Sequence, residues 1–500
     1  MPARASTVPV VPTPLAQVEL TDIARRGALR VAVTGDATDE VWLGPGAADL
    51  LGGDEAPDLT GKAGEVYPVP GAKARLAGVG ARKPADWRTA GAALARAADD
   101  TLDADSTPAQ RAIELSLPAD IDVAELEALV LGLLLGGYRF KVTGQEPKAK
   151  VRTIRLRLPD ASAGQRSAVA RASVLAAATA LTRDLANMPS DVKTPAWLAD
   201  TAVKIGSAVT GLTVTVRDEQ WLAEQRFGGV LAVGGGSSRP PRLIELAWRP
   251  RGTTGPHLVL VGKGITFDTG GVSLKRAPGM HLMRTDMAGG GAVIAALRAI
   301  AELRLPIRVT GLVPAAENHL SGSAYRPGDV IRHYSGKTTE ATNTDAEGRI
   351  VLADALGYAV KQHKADLLVD VATLTGAMKV TLGLRTGGLF ASTDDLARRV
   401  RDAGAEVGEA WWRMPLLDSA RADLDSAIAD VRQVGTAATP GAIHAALFLR
   451  EFTDGLPWAH LDIAGPARAD ATYAEVTPGA SGFAARTLVA LAESLTEQAR

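Results

Sequence analysis

The chain has 500 residues, a formal net charge of −1 and no cysteine. The near-neutral charge argues against nucleic acid or an anionic membrane as a charge-driven partner. A chain without cysteine can hold neither a disulfide nor a thiolate metal site. Because 500 residues exceed the size of one ordinary hydrophobic core, we expect two domains.

The sequence shows no pattern typical of export or membrane insertion. Met1–Leu20 contains several prolines and no continuous apolar stretch, so it is a poor secretory signal, and we interpret it as a flexible or loosely docked arm. The most apolar run, Leu129–Leu135, is far shorter than the ~20 residues that a membrane-spanning helix needs. We therefore expect a cytoplasmic protein with no membrane partner.

Residues 1–165 are predicted to form a smaller α/β domain with an oligomeric or regulatory role. Runs rich in β-branched residues predict strands at Leu29–Thr34 and Val151–Leu158. Apolar spacing near 3.6 residues predicts helices at Ala85–Ala98 and Val123–Leu135. The pattern favours strands and helices packed around one small core.

Residues 166–500 are predicted to form the larger domain, which carries the chemistry. Pro147–Lys150 and Pro159–Gly164 form the predicted joint, and a long helix over Ser167–Leu185 opens the domain. Strands and helices then alternate. The predicted strands are Leu243–Ala247, Leu258–Val261, Ile307–Val313, Leu367–Val371 and Leu461–Ile463. The predicted helices are Ala292–Leu303, Ile350–Gln362 and Ala442–Phe452.

This alternation predicts an α/β fold with a mostly parallel or mixed sheet flanked by helices. Ligands of such sheets bind beyond the carboxyl ends of the strands. Acidic residues follow two of the predicted strands, Leu258–Val261 and Ile307–Val313. We therefore expect the functional site at that edge of the sheet.

A first polar cluster is VGKGITFDTGG, residues 261–271, with Lys263 and Asp268 in a glycine-rich loop. A phosphate-binding loop needs G-x-x-x-x-G-K-[ST]. Here Lys263 is followed by glycine, and no helix begins directly after it. A tight surface turn remains the alternative interpretation.

Two more clusters follow. MRTDMAGGG, residues 283–291, places Asp286 just before a predicted helix, where an aspartate is most often a helix cap. NTDAEGRI, residues 343–350, places Asp345, Glu347 and Arg349 two residues apart. Alternate residues of an extended segment point the same way, although a capped helix start with an ion pair is the alternative.

Together these clusters supply Asp268, Asp286, Asp345 and Glu347, with Lys263 and Lys275 nearby. Four converging carboxylates repel one another unless cations compensate them. Oxygen ligands suit Mg²⁺ and Mn²⁺, and carboxylates also bind Zn²⁺. The chain has no H-E-x-x-H motif, which excludes a zincin helix, and we assign its scattered histidines to core, surface or loop positions.

At this point the sequence resembles the leucyl aminopeptidase family of dinuclear-metal exopeptidases, the cytosol aminopeptidases. The three clusters carry the resemblance together with PAAENHLSGSAYRPGDVI, NTDAEGRIVLADAL and DVATLTGA. It covers roughly residues 170–495. The chain departs from the family pattern at Thr269, where serine is common, at His319, where methionine is common, and at Pro466, where threonine is usual. The last two positions are expected to affect substrate preference.

The resemblance implies two divalent ions per subunit, Mn²⁺ or Zn²⁺, with Mg²⁺ or Co²⁺ also possible. The implied ligands of the looser ion are Lys263, Asp268, Asp286 and Glu347. Those of the tighter ion are Asp268, Asp345 and Glu347, with the backbone carbonyl of Asp345. A neutral lysine ligand requires a lowered pKa, which burial and nearby cations favour.

The resemblance also implies roles around the metals. Lys275 would polarise the scissile carbonyl and meet the developing oxyanion. Arg349 would hold a bicarbonate that takes a proton from the bridging water, because the motifs contain no well-placed Glu or His base and guanidinium binds planar oxyanions. Met283, Thr373 and Leu374 would surround the first substrate residue.

The activity implied is hydrolysis of the N-terminal residue, leucine or another apolar residue, from peptides by a homohexamer. One alternative is another two-metal hydrolase, such as a phosphoesterase. A second alternative is an added role as a DNA-binding regulator. Nucleic acid is a less expected partner than peptide substrates. Its candidate basic residues are Arg25, Arg26, Arg30, Lys73, Arg75, Arg82 and Lys83.

Overall fold

A computed structural model describes residues 10–36, 41–52, 58–103, 105–142, 150–253, 255–435 and 440–497. The chain divides into two compact units, residues 1–180 with 470–478 and residues 181–469 with 479–500. The domain boundary predicted between residues 165 and 166 stays a prediction.

The first unit is built on one sheet. Its strands are β1 (Gln17–Thr21), β2 (Leu29–Asp36), β3 (Val41–Leu43), β4 (Val66–Pro68), β5 (Ala74–Gly78), β6 (Ala112–Ser116) and β7 (Thr153–Arg157). Its helices are α1 (Ala47–Leu51), α2 (Pro84–Thr101) and α3 (Val123–Gly136), and α4 (Ala163–Asn187) contains the boundary between the units. The strand order is β1-β7-β6-β2-β5-β4, with β3 on β2.

The edge strand β1 corrects one expectation. Gln17–Thr21 pairs in parallel with Thr153–Arg157, so the loosely docked arm is wrong for residues 17–20. The sequence QVELT alternates apolar and polar residues, which is the two-residue period of a strand. Residues 1–9, and residues 147–149 of the predicted joint, lie outside the described residues.

The second unit holds a larger mixed sheet. Its strands are β8 (Leu212–Arg217), β9 (Arg242–Trp248), β10 (Leu258–Gly262), β11 (Gly264–Asp268), β12 (Val309–Asn318), β13 (Val330–Arg332), β14 (Thr338–Glu340), β15 (Leu367–Ala372), β16 (Thr386–Ala391), β17 (Ala410–Arg413), β18 (Val431–Arg432), β19 (Trp458–Asp462), β20 (Arg468–Ala469) and β21 (Gly479–Ala480). The main sheet has the order β17-β16-β19-β15-β10-β12-β9-β8, with β11 also on β12.

Helices complete the second unit. They are α5 (Pro195–Ser207), α6 (Glu219–Glu224), α7 (Gly228–Gly234), α8 (Ala288–Glu302), α9 (Glu347–Tyr358), α10 (Gly376–Leu382), α11 (Asp394–Val407), α12 (Gly441–Arg450) and α13 (Ala485–Glu497). A π-helical turn, Ala359–His363, continues α9. The centre of the sheet, β19-β15-β10-β12, is parallel, whereas β9 and β16 run antiparallel to their neighbours. The predicted α/β class with a mixed sheet is confirmed.

Strand β12 extends beyond its predicted end at Val313 to Asn318. It pairs with β10 up to Leu312 and with β11 from Ala315 onward. Pro314 lies between these two stretches, where β12 changes partner, and a proline is tolerated where the ladder needs no donor. The extension carries the strand to the edge where the polar clusters lie.

Candidate metal centre and active site

The predicted site residues lie at the carboxyl edge of the central strands. Lys263 directly follows β10, Asp268 is the last residue of β11, and Thr373 directly follows β15. Because β10 and β15 are parallel neighbours, their carboxyl ends meet at one edge. The Lys263 N–H donates to Val371 O at 3.0 Å, which ties the two strand ends together.

Two helix starts supply further carboxylates. Asp286 lies between the 3₁₀ turn Met280–Thr285 and α8. It makes no side-chain cap of α8, and instead accepts a 2.8 Å hydrogen bond from Thr373 Oγ1. Glu347 is the first residue of α9 and is 1% exposed. The capping alternative for Asp286 is therefore not what the structure shows.

Three of these carboxylates converge. Asp268, Asp286 and Glu347 each offer an oxygen, and these oxygens lie within 4.8 Å of one another. Lys263 Nζ lies 2.8 Å from both Asp286 Oδ2 and Glu347 Oε1, and it donates to Thr373 O at 2.9 Å. The side chains of Lys263 and Glu347 are 3% and 1% exposed, so this is the closed, inner side of the centre.

The outer side is formed by Lys275 and Asp345. Lys275 Nζ lies 2.8 Å from Asp268 Oδ2 and also contacts Asp345 Oδ1. Their side chains are 22% and 33% exposed. A substrate therefore has access from the Lys275 side and not through the buried Lys263 side.

Glycines allow the backbone to come this close. Gly270 has φ of +85° and Gly271 has φ of +62°, a region that favours glycine. A Cβ atom on Gly348 would lie 2.6 Å from Lys263 Cε. The glycine-rich loops thus let Lys263 reach under the start of α9.

Burial and mutual repulsion perturb the acids. Burial and the neighbouring Glu347 raise the pKa of Asp268 to about 7, against the opposing effect of Lys275. Burial also raises the pKa of Asp286 and of Glu347, against the effect of Lys263. Such clustered, perturbed carboxylates are typical of functional sites.

The pKa values of the two lysines are also raised, which for an amine favours the charged form. Burial alone lowers the pKa of Lys263, but the carboxylates of Asp286, Glu347 and Asp268 outweigh it and raise that pKa above its ordinary value. The pKa of Lys275 is likewise raised, because Asp268 and Glu347 outweigh its burial. Either amine must release a proton before it can act as a metal ligand.

The donor set fits divalent cations. Asp286 Oδ2, Asp345 Oδ1 and Glu347 Oε1 are buried oxygens that accept no hydrogen bond of regular geometry from the described part of the chain, although a lysine nitrogen lies beside each. Here the two lysine ammonium groups compensate the charge of these oxygens, and divalent cations can take over that compensation when they bind. Carboxylate oxygens suit Mn²⁺, Mg²⁺ and Zn²⁺.

Arg349 is buried one half-turn beyond Glu347 on α9. Its Nη1 donates to Gln433 O at 2.8 Å and lies 3.4 Å from His444 Nδ1. Burial lowers the pKa of Arg349 to about 10, and Nε finds no partner among the described residues. A guanidinium with an unused, buried N–H group can accept an anion.

The predicted pocket residues are partly exposed. Met283 lies in the 3₁₀ turn before Asp286, and Thr373 and Leu374 follow β15. All three are half-buried, so they can contact a bound side chain. Thr373 also touches the centre directly through Lys263 and Asp286.

Two polar residues that were not predicted from the sequence, Asn318 and Gln433, hold the loops that carry the site residues. Asn318 Nδ2 donates to Asp268 Oδ1 at 2.8 Å and to Thr344 O at 3.0 Å. Gln433 Oε1 accepts the N–H groups of Thr342 and Asn343 at 2.9 and 3.0 Å. Asn318 stands within a quoted motif at the end of β12, whereas no local signal marks Gln433.

The buried acids and lysines at the carboxyl edge of the mixed α/β sheet form a site suited to divalent cations. A family model, described as the cytosol aminopeptidase family, catalytic domain, matches residues 180–489. The chain belongs to this family. It is therefore an aminopeptidase, a metallo-exopeptidase that acts on peptides, and the resemblance seen in the sequence is confirmed.

Curated relatives agree. A probable cytosol aminopeptidase of Roseiflexus castenholzii is 41% identical over 92% of this chain and 98% of its own length. A probable cytosol aminopeptidase of Chlorobaculum tepidum is 43% identical over 83% of this chain and 85% of its own length. The names of these relatives agree with the expected cytoplasmic location. No helix in the described ranges is long and apolar enough to cross a membrane.

Solved structures share the fold. The bottromycin maturation enzyme BotP in complex with Mn has a TM-score of 0.81 and 40% identity, covering 94% of this chain and all of its own. A mutant of tomato leucine aminopeptidase has a TM-score of 0.85 and 31% identity, covering 98% and 99%. The family assignment also decides between the two rival hydrolases in favour of the peptidase.

Proposed function

We propose that the enzyme removes leucine and other apolar residues from the amino end of peptides, with two divalent ions held in this centre. The observation that carries the proposal is the group of three buried carboxylates, Asp268, Asp286 and Glu347, with oxygens within 4.8 Å of one another. The proposed ligand sets are those implied by the resemblance. In these sets Lys263 and Asp286 would hold one ion, Asp345 would hold the other, and Asp268 and Glu347 would be available to both.

When bound, the two ions would lower the pKa of a shared water and so supply a nucleophile near neutral pH. The chain's own residues prepare the rest. Thr373 and Asn318 fix the rotamers of Asp286 and Asp268 through hydrogen bonds. Such supporting bonds keep ligands in place and tune their basicity.

Lys275 is proposed to stabilise the oxyanion. Its Nζ lies on the open side of the centre, and its raised pKa keeps it positively charged there. A positioned donor of this kind contributes ~2.7–4 kcal/mol to transition-state stabilisation. Lys263, enclosed by acids and the start of α9, has no comparable access.

Arg349 is proposed to hold bicarbonate as the proton acceptor. Its guanidinium is anchored by Gln433 O and keeps a buried N–H group available among the described contacts. The neighbouring His444 does not replace the anion, because burial and, to a smaller extent, Arg349 together lower the pKa of this histidine to about 4. A base with so low a pKa takes a proton poorly near pH 7.

The closed inner side of the centre supports specificity for the free amino end of a peptide. The Lys263–Asp286 side is buried, so a substrate amine that reaches it occupies the end of the site and leaves only the first peptide bond near Lys275. We propose that the half-buried Met283 and Leu374 receive an apolar first side chain. A homohexamer is proposed from the resemblance alone, and light scattering on the purified protein would measure it.

The test compares initial rates on leucine p-nitroanilide and N-acetyl-leucine p-nitroanilide with saturating Mn²⁺. The acetyl group removes the amine lone pair, so the second substrate should be slower by ~10⁴-fold or more. Aspartate p-nitroanilide, with its charged first side chain, is the control for the apolar pocket. Comparable rates on the free and acetylated leucine substrates would show that the amine is not recognised.

A further inference from the structure

A short segment after β15, Thr373–Thr375, touches the metal centre. Thr373 O accepts a 2.9 Å hydrogen bond from Lys263 Nζ. Thr373 Oγ1 donates to Asp286 Oδ1 at 2.8 Å. The segment therefore contacts Lys263 and Asp286, the two residues that we assign to the same single ion.

The buried carboxylate of Asp462 holds the same segment through hydrogen bonds. Asp462 is the last residue of β19 and is paired in register with Ala372, the last residue of β15. Its Oδ1 accepts the N–H of Leu374 at 3.2 Å. Its Oδ2 accepts both the N–H of Thr375, at 3.1 Å, and the Thr375 hydroxyl, at 2.7 Å. The carboxylate thus grips two successive residues through three bonds.

This carboxylate is expensive to bury. Asp462 has no exposed surface, and an ionised group out of water costs several kcal/mol unless hydrogen bonds satisfy it. A fourth donor, Ala464 N–H at 3.0 Å, completes the set. Bonds to an ionised acceptor are roughly twice as strong as neutral ones, so the segment is held firmly.

A neighbouring network offers a comparison. Asp370, on β15, is equally buried and accepts hydrogen bonds from Trp458 Nε1 at 2.7 Å and from His460 Nδ1 at 2.6 Å. Within the described part of the chain, the Asp370 carboxylate makes no hydrogen bond to the Thr373–Thr375 segment. The two carboxylates are therefore matched in burial and in sheet, and they differ in what they hold.

We propose that Asp462 is a positioning residue of this aminopeptidase: it fixes the Thr373–Thr375 segment, and through Thr373 it fixes Lys263 and Asp286. The inference rests on the proposed function, because it assigns those two residues to a metal. Among the described residues, the Asp462 carboxylate makes no hydrogen bond to a proposed metal ligand, so it acts through the segment that it holds.

The test is Mn²⁺ titration of metal-stripped protein, with kcat and KM measured in parallel. Asp462→Asn keeps an oxygen for Leu374 and Ala464 but offers an amide NH₂ to the two Thr375 donors. We expect one of two Mn²⁺ sites to weaken by ~10–100-fold, the range found for residues that support metal ligands. The other site should keep its affinity, and the lost kcat should return as Mn²⁺ is raised.

Two companion variants separate positioning from stability. Asp370→Asn should lower the melting temperature and leave both Mn²⁺ affinities unchanged. Thr375→Val removes one donor to Asp462, and also the long 3.4 Å cap bond to Met378 N, so it should show a smaller loss at the same site. Thr375→Ser keeps the hydroxyl and should behave as wild type.

Each outcome decides something. If the wild type binds two Mn²⁺ and folded Asp462→Asn binds both with unchanged affinity, the positioning role of Asp462 is wrong while the proposed function stands. The same holds if Asp370→Asn weakens Mn²⁺ binding as much as Asp462→Asn does. If Asp462→Asn does not fold, wild-type Mn²⁺ affinity in Thr375→Val overturns it. Fewer than two Mn²⁺ in the wild type would overturn the proposed function and this inference with it.

Discussion

The two lysines of the centre differ in what surrounds them. Lys263 is 3% exposed and contacts Asp286 and Glu347, whereas Lys275 is 22% exposed and contacts Asp268 and Asp345. The buried lysine can act only on the inner side of the centre. The outer lysine can meet a substrate, so the two should respond differently to truncation.

We expect Lys275→Ala to keep both metals and to bind peptide, but to lose kcat by ~10²–10³-fold, because its contact strengthens in the transition state. Lys263→Ala should instead weaken one metal. Steady-state kinetics and metal analysis of both variants make the comparison, with the exposed Arg276→Ala as the control. An increase in KM alone for Lys275→Ala would contradict the oxyanion role.

Arg349 is the second residue whose role can be isolated. Replacing it by alanine should lower the rate and abolish any stimulation by added bicarbonate, since the guanidinium is the proposed anion site. Arg349→Lys keeps a charge but not a planar fork, so it should restore only part of the response. The test compares rates with added bicarbonate and with added chloride as the control anion. Stimulation by bicarbonate that survives in Arg349→Ala would refute this assignment.

At the scale of elements, the start of α8 is packed directly on the end of β15. A Cβ atom on Gly289 would lie 2.1 Å from Val371 O, a backbone atom that cannot move aside alone. The glycines of residues 289–291 therefore belong to the helix, whereas the predicted helix began at Ala292. This close contact places Asp286, just before α8, beside Thr373.

Gly289→Ala should consequently destabilise the protein by several kcal/mol and displace Asp286, with loss of activity. The matched control is Gly376→Ala, at the start of α10, where an added Cβ meets nothing within 4 Å. Alanine also favours helix over glycine by about 1 kcal/mol, so the control should be neutral or stabilising. Melting temperatures and catalytic rates should therefore be lower for Gly289→Ala than for Gly376→Ala. Equal melting temperatures would mean that α8 can shift to admit the added methyl group at little cost.

Strands β10 and β15 could be predicted because they are mostly apolar runs, and both are buried throughout. Strand β19 is also buried but carries His460 and Asp462, and the predicted strand Leu461–Ile463 overlapped only its last two residues. Strand β16 escaped prediction because two of its residues are glycines. A Cβ on Gly387 would meet Trp411 at 2.3 Å, and one on Gly388 would meet Met378 at 2.6 Å. These glycines make room for neighbours far along the chain, which no local pattern reveals.

The candidate ligands could be named because each stands in a local motif, and the structure brings Asp268, Asp286 and Glu347 together. Their assignment to particular ions stays a prediction. Asn318, Gln433 and Asp462 were missed as supports because their bonds join positions from 26 to 91 residues apart. Such pairs exist only once the sheet has formed.

At the scale of the whole molecule, buried histidines couple stability to pH. His257 is 3% exposed; its Nδ1 donates to His363 O at 3.1 Å, and its Nε2 lies 2.9 Å from Thr310 Oγ1. Burial, with a further effect of Arg308 and His363, lowers its pKa from 6.5 to about 4. The unfolded chain therefore binds a proton at pH values where the folded protein does not.

The contribution of His257 to the free energy of unfolding is complete above pH 6.5 and is lost as the pH falls from 6.5 towards 4. After allowance for screening we expect a loss of at most about 1 kcal/mol between pH 7 and 5. Urea melts at both pH values measure it, with His257→Asn as the non-titrating control. The variant should lose less stability over that range than the wild type, and an equal loss would exclude His257 as the source.

Whether the centre binds two metal ions can be measured directly as the Mn²⁺ stoichiometry of the wild-type protein and of Glu347→Gln, by metal analysis after equilibrium dialysis. Glu347 is assigned to both ions and removing its charge removes compensation for both cations. The proposed two-metal centre predicts two Mn²⁺ per chain in the wild type, fewer than two in Glu347→Gln, and an activity of Glu347→Gln that is lower by orders of magnitude with the fold retained. A single Mn²⁺ in the wild type, or two with full activity in Glu347→Gln, would contradict it.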